Sequence, residues 1–485
     1  MGFLSSLVKS ITGAIGDVIG WLTGIEEPNY DDQNRGTLVN KQSNVASIPV
    51  IYGTRKVGGT RVFVSTGGGK KNEYLYIALV LSEGEIDQIG DVYINDVLST
   101  DSKFSGLVTI EKYLGTDSQT YSTLLAEADD TWGADHRLRG VAYLAMRFKY
   151  DPDVFSSIPE VQAVVRGRKV YNPSTATTVY SSNPALCLRD YLTNPRYGKG
   201  LDSALLDDDS FIAAATFCDT TVTSSAGLGG SQKIFECNAI IDTGNKLFDN
   251  VKIILRGMRG LMPYSNGIYS LLIDKAESVS FDLTPDNITS AIQVASSGKD
   301  KKYNKVIAKF TNPDANWQSD TVFWPPAGST EESTFLSEDD NQELATEITL
   351  PTIANYYSAR DIARIACLAS RKNALTVKLT ATSEALKIAA GDVVRLEHPS
   401  MGWVDNGATD ARKAFRVAGL QLADTGEVKL TLQEYDSTIY PWDVGLDQPD
   451  NESSTLPDPT LVAPPTNLSV IAGATVNADG TTLPA

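Results

Sequence analysis

The sequence predicts a multidomain α+β protein in which β-structure predominates. The chain has 485 residues, which corresponds to about three domains at roughly 150 residues each. Short runs rich in Val, Ile, Tyr and Thr, separated by glycines, dominate residues 36–169 and 279–443 and are typical of β-strands. Residues 183–258 instead carry helix start and stop signals and apolar residues at helical spacing. An α+β module is therefore expected between two β-rich regions.

Changes in composition along the chain predict six segments. An amphipathic, coiled-coil-like helix (1–27) precedes a β-rich domain (28–175), an α+β module (176–278) and a second β-rich domain with one helix (279–445). Five prolines among polar residues indicate an extended linker (446–466). The last residues (467–485) open a further segment that is too short to complete a domain.

Composition and charge exclude several classes of protein. The 42 basic and 60 acidic residues give a net charge of −18, and a surface of that sign repels a phosphate backbone. We therefore expect no specific nucleic-acid partner. A hydrophobic content of 42% with 21% charged residues is ordinary for a globular protein, and it argues against both wholesale disorder and a membrane protein.

The residue types that usually hold metals or perform catalysis are scarce. The chain has two histidines and four cysteines: His136, His398, Cys187, Cys218, Cys237 and Cys367. Their spacing matches no common zinc motif, and the cysteines are too sparse for a disulfide scaffold. We expect packed core thiols. The acidic run at 207–209 fits a helix N-terminus better than a calcium loop, because it lacks the spacing of an EF-hand. No catalytic residue, metal ligand or cofactor is predicted.

The N-terminal segment carries a heptad-like apolar seam. Its members alternate in steps of four and three residues: Leu4, Val8, Ile11, Ile15, Val18, Leu22 and Ile25. A repeat of 3.5 residues is the signature of a coiled coil. Four glycines in the same segment weaken an isolated helix, so the helix is expected to form only against a partner. Two alternatives stay open, in which residues 1–25 lie on their own domain or make transient contact with a bilayer.

The first β-rich domain is predicted from a series of apolar runs. Residues 48–53, 60–64 and 73–81 are expected strands, and residues 141–150 return to a strand after a polar loop. The glycine-rich loop at 66–72 joins two strands. It is not a phosphate-binding loop, because it lacks the P-loop motif and no helix follows it.

The α+β module begins with a well-marked helix. Asn183 is a typical N-cap, Pro184 suits the first helical position, and the helix should stop at Asn194-Pro195. A second helix is expected from residue 209 or 210 to 218, a strand over 233–241 and a helix over 247–258. Asn266-Gly267 between apolar runs predicts a type I′ hairpin.

The second β-rich domain is predicted to contain one helix, with Ser358 as N-cap and Asp361 at the third helical position, ending near Arg371. Strands are expected at 375–379, 393–397, 415–422 and 427–433, with a turn at 424–426 joining the last two. The acidic run at 338–340 is expected in a solvated polar loop.

Several segments occur in an order that resembles one known family. The most specific is NPALCLRDYLTNPRYGKG at 183–200, which is similar to a family helix that ends in an hPRYGxG corner. Other similar segments are LSEGEI (81–86), VRGRKVY (165–171), FCD (217–219), CNA (237–239) and GDVV (391–394). PPTNL (464–468) looks like the entry to a fibronectin type III domain. Together they resemble the tail-tip attachment (host-specificity) protein J family of siphophages such as lambda, over about residues 45–470.

This resemblance implies a non-enzymatic central hub at the tail tip of a virion, without a cofactor. It implies a homotrimer in which two tail-tube-like β-domains per chain present six units to a sixfold tube. The implied partners are distal tail or tail-tube proteins, the tape-measure protein near the N-terminal seam and, through C-terminal elements beyond residue 465, a host receptor. Residues 467–485 would then be a truncated fibronectin type III domain. The implied role includes host attachment and genome delivery.

The hPRYGxG-like corner is the expected structural site. It comprises Asn194, Pro195, Arg196, Tyr197 and Gly198. After the helix stops at the proline, the planar guanidinium and the amphipathic ring are suited to fixing the α+β module to its neighbour.

Two other classes of function remain as alternatives. A tail-associated cell-wall-degrading enzyme requires paired carboxylates in a cleft or a metal site, and no acid, base and oxyanion donor fall together in this sequence. A cell-surface adhesin fragment would explain the start of a C-terminal domain but not the N-terminal seam.

Overall fold

The computed structural model describes residues 36–42, 46–68, 73–128, 132–224, 230–298, 301–444, 474–476 and 482–484. The predicted seam from Leu4 to Ile25, the proline-rich linker and most of residues 467–485 lie outside the described residues. The chain divides into two compact units, residues 1–448 and 449–485. In the described residues β-strands predominate over helices, which confirms the predicted fold class.

Helices for which both ends are described are α1 (Thr123–Ala126), α2 (Pro184–Thr193), α3 (Asp208–Cys218), α4 (Leu247–Arg256), α5 (Thr330–Glu338) and α6 (Tyr356–Lys372). The strands of the first β-rich region are β1 (Lys41–Gln42), β2 (Val50–Tyr52), β3 (Thr54–Val57), β4 (Thr60–Gly67), β5 (Tyr74–Glu83), β6 (Ile86–Ile94), β7 (Val97–Leu98), β8 (Val108–Leu114), β9 (Val141–Lys149), β10 (Val161–Asn172) and β11 (Thr177–Tyr180). The strands that follow are β12 (Thr221–Thr223), β13 (Ser231–Lys233), β14 (Ala239–Ile241), β15 (Gly260–Leu261), β16 (Tyr264–Ser265), β17 (Ile268–Tyr269) and β18 (Leu272–Ile273). The remaining strands are β19 (Val279–Leu283), β20 (Gln293–Ser296), β21 (Lys305–Asn312), β22 (Gln318–Trp324), β23 (Ala345–Thr349), β24 (Leu375–Ala381), β25 (Val393–Leu396), β26 (Lys413–Leu422), β27 (Val428–Glu434), β28 (Ala474–Val476) and β29 (Thr482–Pro484).

The first β-rich region contains two sheets that share a core. One sheet has the strand order β1-β4-β5-β9-β8, and the other has the order β11-β10-β6-β7 with β3 also paired to β10. Ile77 and Leu144 from the first sheet pack with Ile86 and Val165 from the second. A second cluster covers the opposite face of β5 and β9, where α1 lies. Since both faces of β5 are covered, its sequence is a nearly continuous apolar run.

The α+β module is built around the largest core. Helices α2, α3 and α4 pack together with the sheet β22-β21-β23 and with α6. Leu188, Phe211, Ile254, Phe310 and Ile362 are fully buried members contributed by these elements. This core continues past residue 279 because α6 covers the three-stranded sheet. The division into six segments stays a prediction.

Strand β2 lies between two cores. It pairs with β14 in antiparallel register, so that Ile51 lies opposite Ile240. Val50 and Tyr52 belong to the core of the α+β module, whereas Ile51 belongs to the core of the first β-rich region. The two-residue period of a strand explains this division, because successive side chains point to opposite faces.

The second β-rich region contains a six-stranded sheet in the order β19-β25-β26-β27-β24-β20. Leu283, Val377, Phe415 and Leu432 are buried in its core. In the other compact unit, β28 and β29 form an antiparallel pair. The fibronectin type III identity of that segment stays a prediction.

Two predicted elements differ from the structure, and one helix was not predicted. The strand expected over 233–241 is two strands, because Cys237 N–H donates to Ser182 O and Asn238 N–H donates to Thr352 O between them. The second helix begins at Asp208, slightly earlier than expected. Helix α5 was not expected, since only two of its residues, Phe335 and Leu336, are large and apolar.

The start of α6 was also predicted wrongly. Asn355, not Ser358, caps this helix, since its side-chain oxygen accepts hydrogen bonds from the backbone N–H groups of Tyr357 (2.9 Å) and Ser358 (3.1 Å). Ser358 and Asp361 therefore lie inside the helix, and the Ser358 hydroxyl donates to the carbonyl of Ile234. Among the described residues, none of the helices combines the length and apolar character that crossing a bilayer requires.

Candidate functional site

The predicted corner follows α2, whose ends lie where local signals place them. The side chain of Asn183 accepts the N–H of Ala185, and Pro184 occupies the first helical position. At the other end, the Asn194 side chain accepts the N–H groups of Arg196 (2.9 Å) and Tyr197 (3.4 Å). This Asx-type turn directs the chain away from the helix axis immediately after α2.

Close backbone approach fixes the path after the turn. Lys199 N–H donates to Tyr191 O, and Leu201 N–H donates to Leu192 O, so the chain returns over the last carbonyl groups of α2. A Cβ atom at Gly198 would overlap the carbonyl oxygen of Tyr191. Only glycine fits at this point, because the obstacle is backbone that cannot rotate away.

The corner joins the α+β module to the first β-rich region through Asp190. The hydroxyl groups of Tyr52 on β2 and Tyr197 both donate to Oδ2 of Asp190, each at 2.6 Å. The Tyr197 oxygen in turn accepts a hydrogen bond from Nε of Arg168 on β10 at 2.7 Å. Side chains from α2, the corner, β2 and β10 therefore form one partly buried network.

Electrostatics keep the two phenols and the guanidinium of this network protonated. Burial, followed by the nearby Asp190 carboxylate, raises the pKa of Tyr197 and of Tyr52 well above the ordinary value. Both phenols therefore remain hydrogen-bond donors at physiological pH. The pKa of Arg168 is also raised: burial lowers it, but Tyr197 and Asp190 outweigh that effect. A permanently charged guanidinium is suited to holding position and unsuited to accepting protons.

Arg196 makes a second connection, to Glu83 at the end of β5. The two side chains form an ion pair, with Nη2 of Arg196 3.3 Å from Oε2 of Glu83. The Glu83 side chain is only 9% exposed, whereas that of Arg196 is 60% exposed. Burial raises the pKa of Glu83, while Arg196 and Arg168 act in the opposite direction.

The structure thus brings Arg196 and Tyr197 to the contact between two parts of the chain, while Asn194, Pro195 and Gly198 shape the turn. Their role in assembly stays a prediction. Four participants were not predicted from the sequence: Tyr52, Glu83, Arg168 and Asp190. The available signal was the pair of charged residues Arg189 and Asp190 within the largely apolar helix α2, since such groups require partners when the helix is buried. The seam from Leu4 to Ile25 lies outside the described residues.

The cysteines and the possible metal ligands are the other candidate groups. All four cysteines are buried and free, as predicted, and burial raises the pKa of Cys187, Cys218 and Cys367, the last to about 12. Among the described residues, no three His, Cys, Asp or Glu side chains are grouped so that they could hold a metal ion.

Within the acidic run at 338–340, the prediction of solvated side chains is wrong for Asp339, whereas Glu338 and Asp340 are exposed. The Asp339 side chain is 5% exposed and accepts hydrogen bonds from Lys302 (2.7 Å), Asn304 (3.0 Å) and Arg371 (2.6 Å). It is therefore a buried anchor between α5 and α6 and not part of a solvated loop. Its partners are distant in sequence, so the local composition did not reveal them.

Comparison with known proteins supports the resemblance seen in the motifs. A family model described as "Putative phage tail protein" matches residues 272–419. Baseplate hub protein pb3 of Escherichia phage T5 is 23% identical over 487 residues, covering 85% of this chain and 49% of the relative. Tip attachment protein J of Escherichia phage SECphi27 is 27% identical over 151 residues, covering 30% of this chain and 12% of the relative. The chain thus spans about half the length of pb3 and a smaller part of protein J.

A solved structure of another protein has a similar fold. A chain in the virion of a native gene transfer agent particle superposes with a TM-score of 0.61 at 16% identity, covering 92% of this chain and 97% of that chain. The relatives carry names of structural tail components, in agreement with the prediction that this chain is not an enzyme. The motifs, the corner and the matches lead to one conclusion: this chain is a structural protein of a phage tail, related to tail hub and tip attachment proteins.

Proposed function

We propose that this chain is the central hub of the tail tip of a long-tailed phage. In this proposal it is a homotrimer that closes the tail tube and connects distal tail and tape-measure proteins to receptor-binding elements. It takes part in host attachment and genome delivery through these connections. It binds no specific nucleic acid and performs no chemistry of its own.

The main support for the proposal is that buried or partly buried polar contacts attach both β-rich regions to one α+β core. Asp190 accepts hydrogen bonds that link the core to the first region. On the other side, Nη2 of Arg416 on β26 lies 3.2 Å from Oδ1 of Asp274, and both side chains are buried. A part that closes a tube must resist relative motion of its domains, and buried charge-assisted contacts provide such resistance.

Trimerisation is the feature of this proposal that can be tested first. Two β-rich regions per chain would give six units from three chains, which suits a tube of sixfold symmetry. Light scattering on the full chain, 52.2 kDa, should give three times that mass, either alone or after addition of the tail partners. Negative-stain microscopy should then show a ring. A stable dimer within the assembled particle, or a monomer that no tail partner converts, would contradict the proposal.

The N-terminal seam is proposed as the contact with the other copies or with the tape-measure protein. Replacing Ile11, Ile15 and Val18 together with Asp places three charges on an apolar seam, and tail-tip assembly should fail. Normal particles that fail only at genome delivery would instead favour a contact of residues 1–25 with lipid. Normal particles that infect normally would contradict both roles.

A further inference from the structure

The chain leaves its second β-rich region through a short segment that lies along α6. We call residues 437–444 the exit segment. It follows β27 and contains a single turn of 3₁₀-helix, Ser437–Ile439, with no strand pairing. Several of its residues are exposed or half-exposed. Its attachment therefore comes from side-chain contacts, made by residues that reach it from elsewhere and by side chains of its own.

Two arginines of α6 hold the exit segment by its backbone. Arg364 donates from Nη1 to the carbonyl of Ile439 at 2.9 Å and from Nη2 to the carbonyl of Pro441 at 2.7 Å. Arg360, one helical turn earlier, donates from Nη2 to the carbonyl of Asp443. The three acceptors belong to alternate residues. Arginines four residues apart lie on one face of a helix, which explains how both reach the same stretch of chain.

Further side-chain contacts add to the attachment. The Tyr440 hydroxyl donates to Oδ1 of Asp274 at 2.7 Å, and Nζ of Lys372 donates to the hydroxyl of Thr438 at 2.8 Å. Two apolar side chains pack as well. Ile439 is fully buried and packs against Ile365 and Ala369 of α6. Trp442 packs on the core of the α+β module and donates from Nε1 to the carbonyl of Thr223 at 2.9 Å. The exit segment thus depends on a few point contacts, whereas the adjacent sheet depends on continuous ladders of hydrogen bonds.

Arg364 is also connected to a buried row of charged side chains. Nη2 of Arg364 lies 2.8 Å from Oδ1 of Asp361, and Oδ2 of Asp361 lies 2.6 Å from Nη1 of Arg259. Nε of Arg259 donates to the carbonyl of Asp274 at 3.2 Å. If the exit segment leaves, Arg364 keeps its carboxylate partner. Release therefore strands no unpaired buried charge at Arg364, which is the main penalty that opposes breaking such sites.

We propose that Arg360 and Arg364 form a latch that holds the exit segment, and that this segment opens as a unit while the sheets stay folded. Opening would free the C-terminal part of the chain from α6 without loss of the fold. Regions with few buried contacts and separate attachment open at lower free energy than core strands. A role for this latch in the response to receptor contact depends on the proposed hub function. The proposal that the latch exists depends only on the contacts described above.

Hydrogen–deuterium exchange on the purified full chain tests the latch. Arg364→Lys keeps a cation beside Asp361, but its single nitrogen cannot reproduce the two separate nitrogens with which Arg364 reaches the two carbonyl groups. The exchange rate of amides in residues 438–444 should rise about tenfold or more, since at least one charge-assisted hydrogen bond is lost. Amides of β24 and β27 should keep the wild-type rate. Arg360→Met should give the same pattern.

Arg371→Lys is the matched control. Arg371 lies on the same helix and is equally buried, but it contacts Glu338 and Asp339 and not the exit segment. This variant should raise exchange near α5 and leave residues 438–444 unchanged. An unchanged exit segment in Arg364→Lys, or a rise shared equally with β27, would overturn the latch. Neither result bears on the trimer mass, so failure of the latch and failure of the hub proposal are distinguishable.

Limited proteolysis gives an independent measurement of the same opening. Chymotrypsin should cleave the Trp442–Asp443 bond faster in Arg364→Lys than in the wild type, with the rest of the first compact unit left intact. Simultaneous cleavage throughout that unit would show general destabilisation and would contradict a separate latch.

Discussion

The hydroxyl of Tyr197 lies 2.6 Å from a carboxylate oxygen of Asp190, seven residues earlier in the chain. This contact connects the turn after α2 to the helix itself. It also positions the Tyr197 oxygen to accept the hydrogen bond from Arg168 of the neighbouring region. One hydroxyl therefore stabilises both the corner and the contact between two parts of the fold.

Replacing Tyr197 with Phe should destabilise the chain by about 1–3 kcal/mol, because it removes a donor to Asp190 and an acceptor for Arg168 at a partly buried site. The free energy of unfolding from urea denaturation measures the effect. Tyr150→Phe is the control, since Tyr150 is 70% exposed and should tolerate the change. Equal stability of the two variants would show that the corner network is dispensable.

Replacing Arg196 with Ala should lower the free energy of unfolding by about 1–2 kcal/mol at pH 7, because it removes the ion-pair partner of the nearly buried Glu83. Loss of Arg196 raises the folded-state pKa of Glu83 further. A carboxyl group with a raised pKa reduces stability above that pKa, so the deficit should shrink as the pH falls from 7 towards 5. A pH-independent deficit would contradict this explanation.

The matched control for Arg196 is Lys233→Ala, which breaks an ion pair with Asp219 whose side chains are 42% and 44% exposed. Exposed pairs contribute little, and this variant should stay within about 0.5 kcal/mol of the wild type. Combining Arg196→Ala with Glu83→Gln should restore part of the lost stability, because no buried charge is then unpaired.

Replacing Gly198 with Ala should reduce stability by at least about 2 kcal/mol or prevent soluble expression, because the new methyl group meets the carbonyl oxygen of Tyr191. Gly133→Ala adds the same methyl group where no atom lies within 4 Å. Its melting temperature should match the wild type. A Gly198→Ala variant that melts with the wild type would contradict the tight turn.

Acid titration should reveal the buried carboxylate of Asp339. Burial alone would raise its pKa, but hydrogen bonds from Arg371, Lys302 and Asn304 outweigh this and lower the pKa from 3.8 to about 2. A lowered pKa stabilises the fold above pH 3.8, and this contribution of about 2 kcal/mol is lost as the pH falls through about 2. Asp339→Asn should lack this acid-dependent step, and Asp340→Asn, at an exposed position, should retain it.

Local signals predicted the parts of the fold that depend on adjacent residues. The cap at Asn183 and the stop at Asn194-Pro195 are set by nearest neighbours, and the structure places α2 between them. The turn at Asn266-Gly267 is likewise local, since both residues adopt positive φ angles of 53° and 86°. Such elements are visible in the sequence because their causes lie within a few residues.

Features that depend on distant partners were not visible. Asp339 was assigned to a solvated loop because Lys302 and Arg371 lie 37 and 32 residues away in sequence. The start of α6 was misplaced because Ser358, a good cap in isolation, instead bonds to Ile234. In the candidate site, Arg196 and Tyr197 were found, but their partners Glu83 and Asp190 required knowledge of the packing.

The position of β2 between two cores links the folding of the first β-rich region to that of the α+β module. Ile51 pairs with Ile240, so the strand must wait for almost 190 further residues before its partner has been synthesised. Contacts of such sequence separation close slowly. A nascent chain that ends before residue 239 would expose Val50 and Tyr52, which are buried in the complete fold. We therefore expect β2 to reach its final pairing late in synthesis, together with the module that follows it.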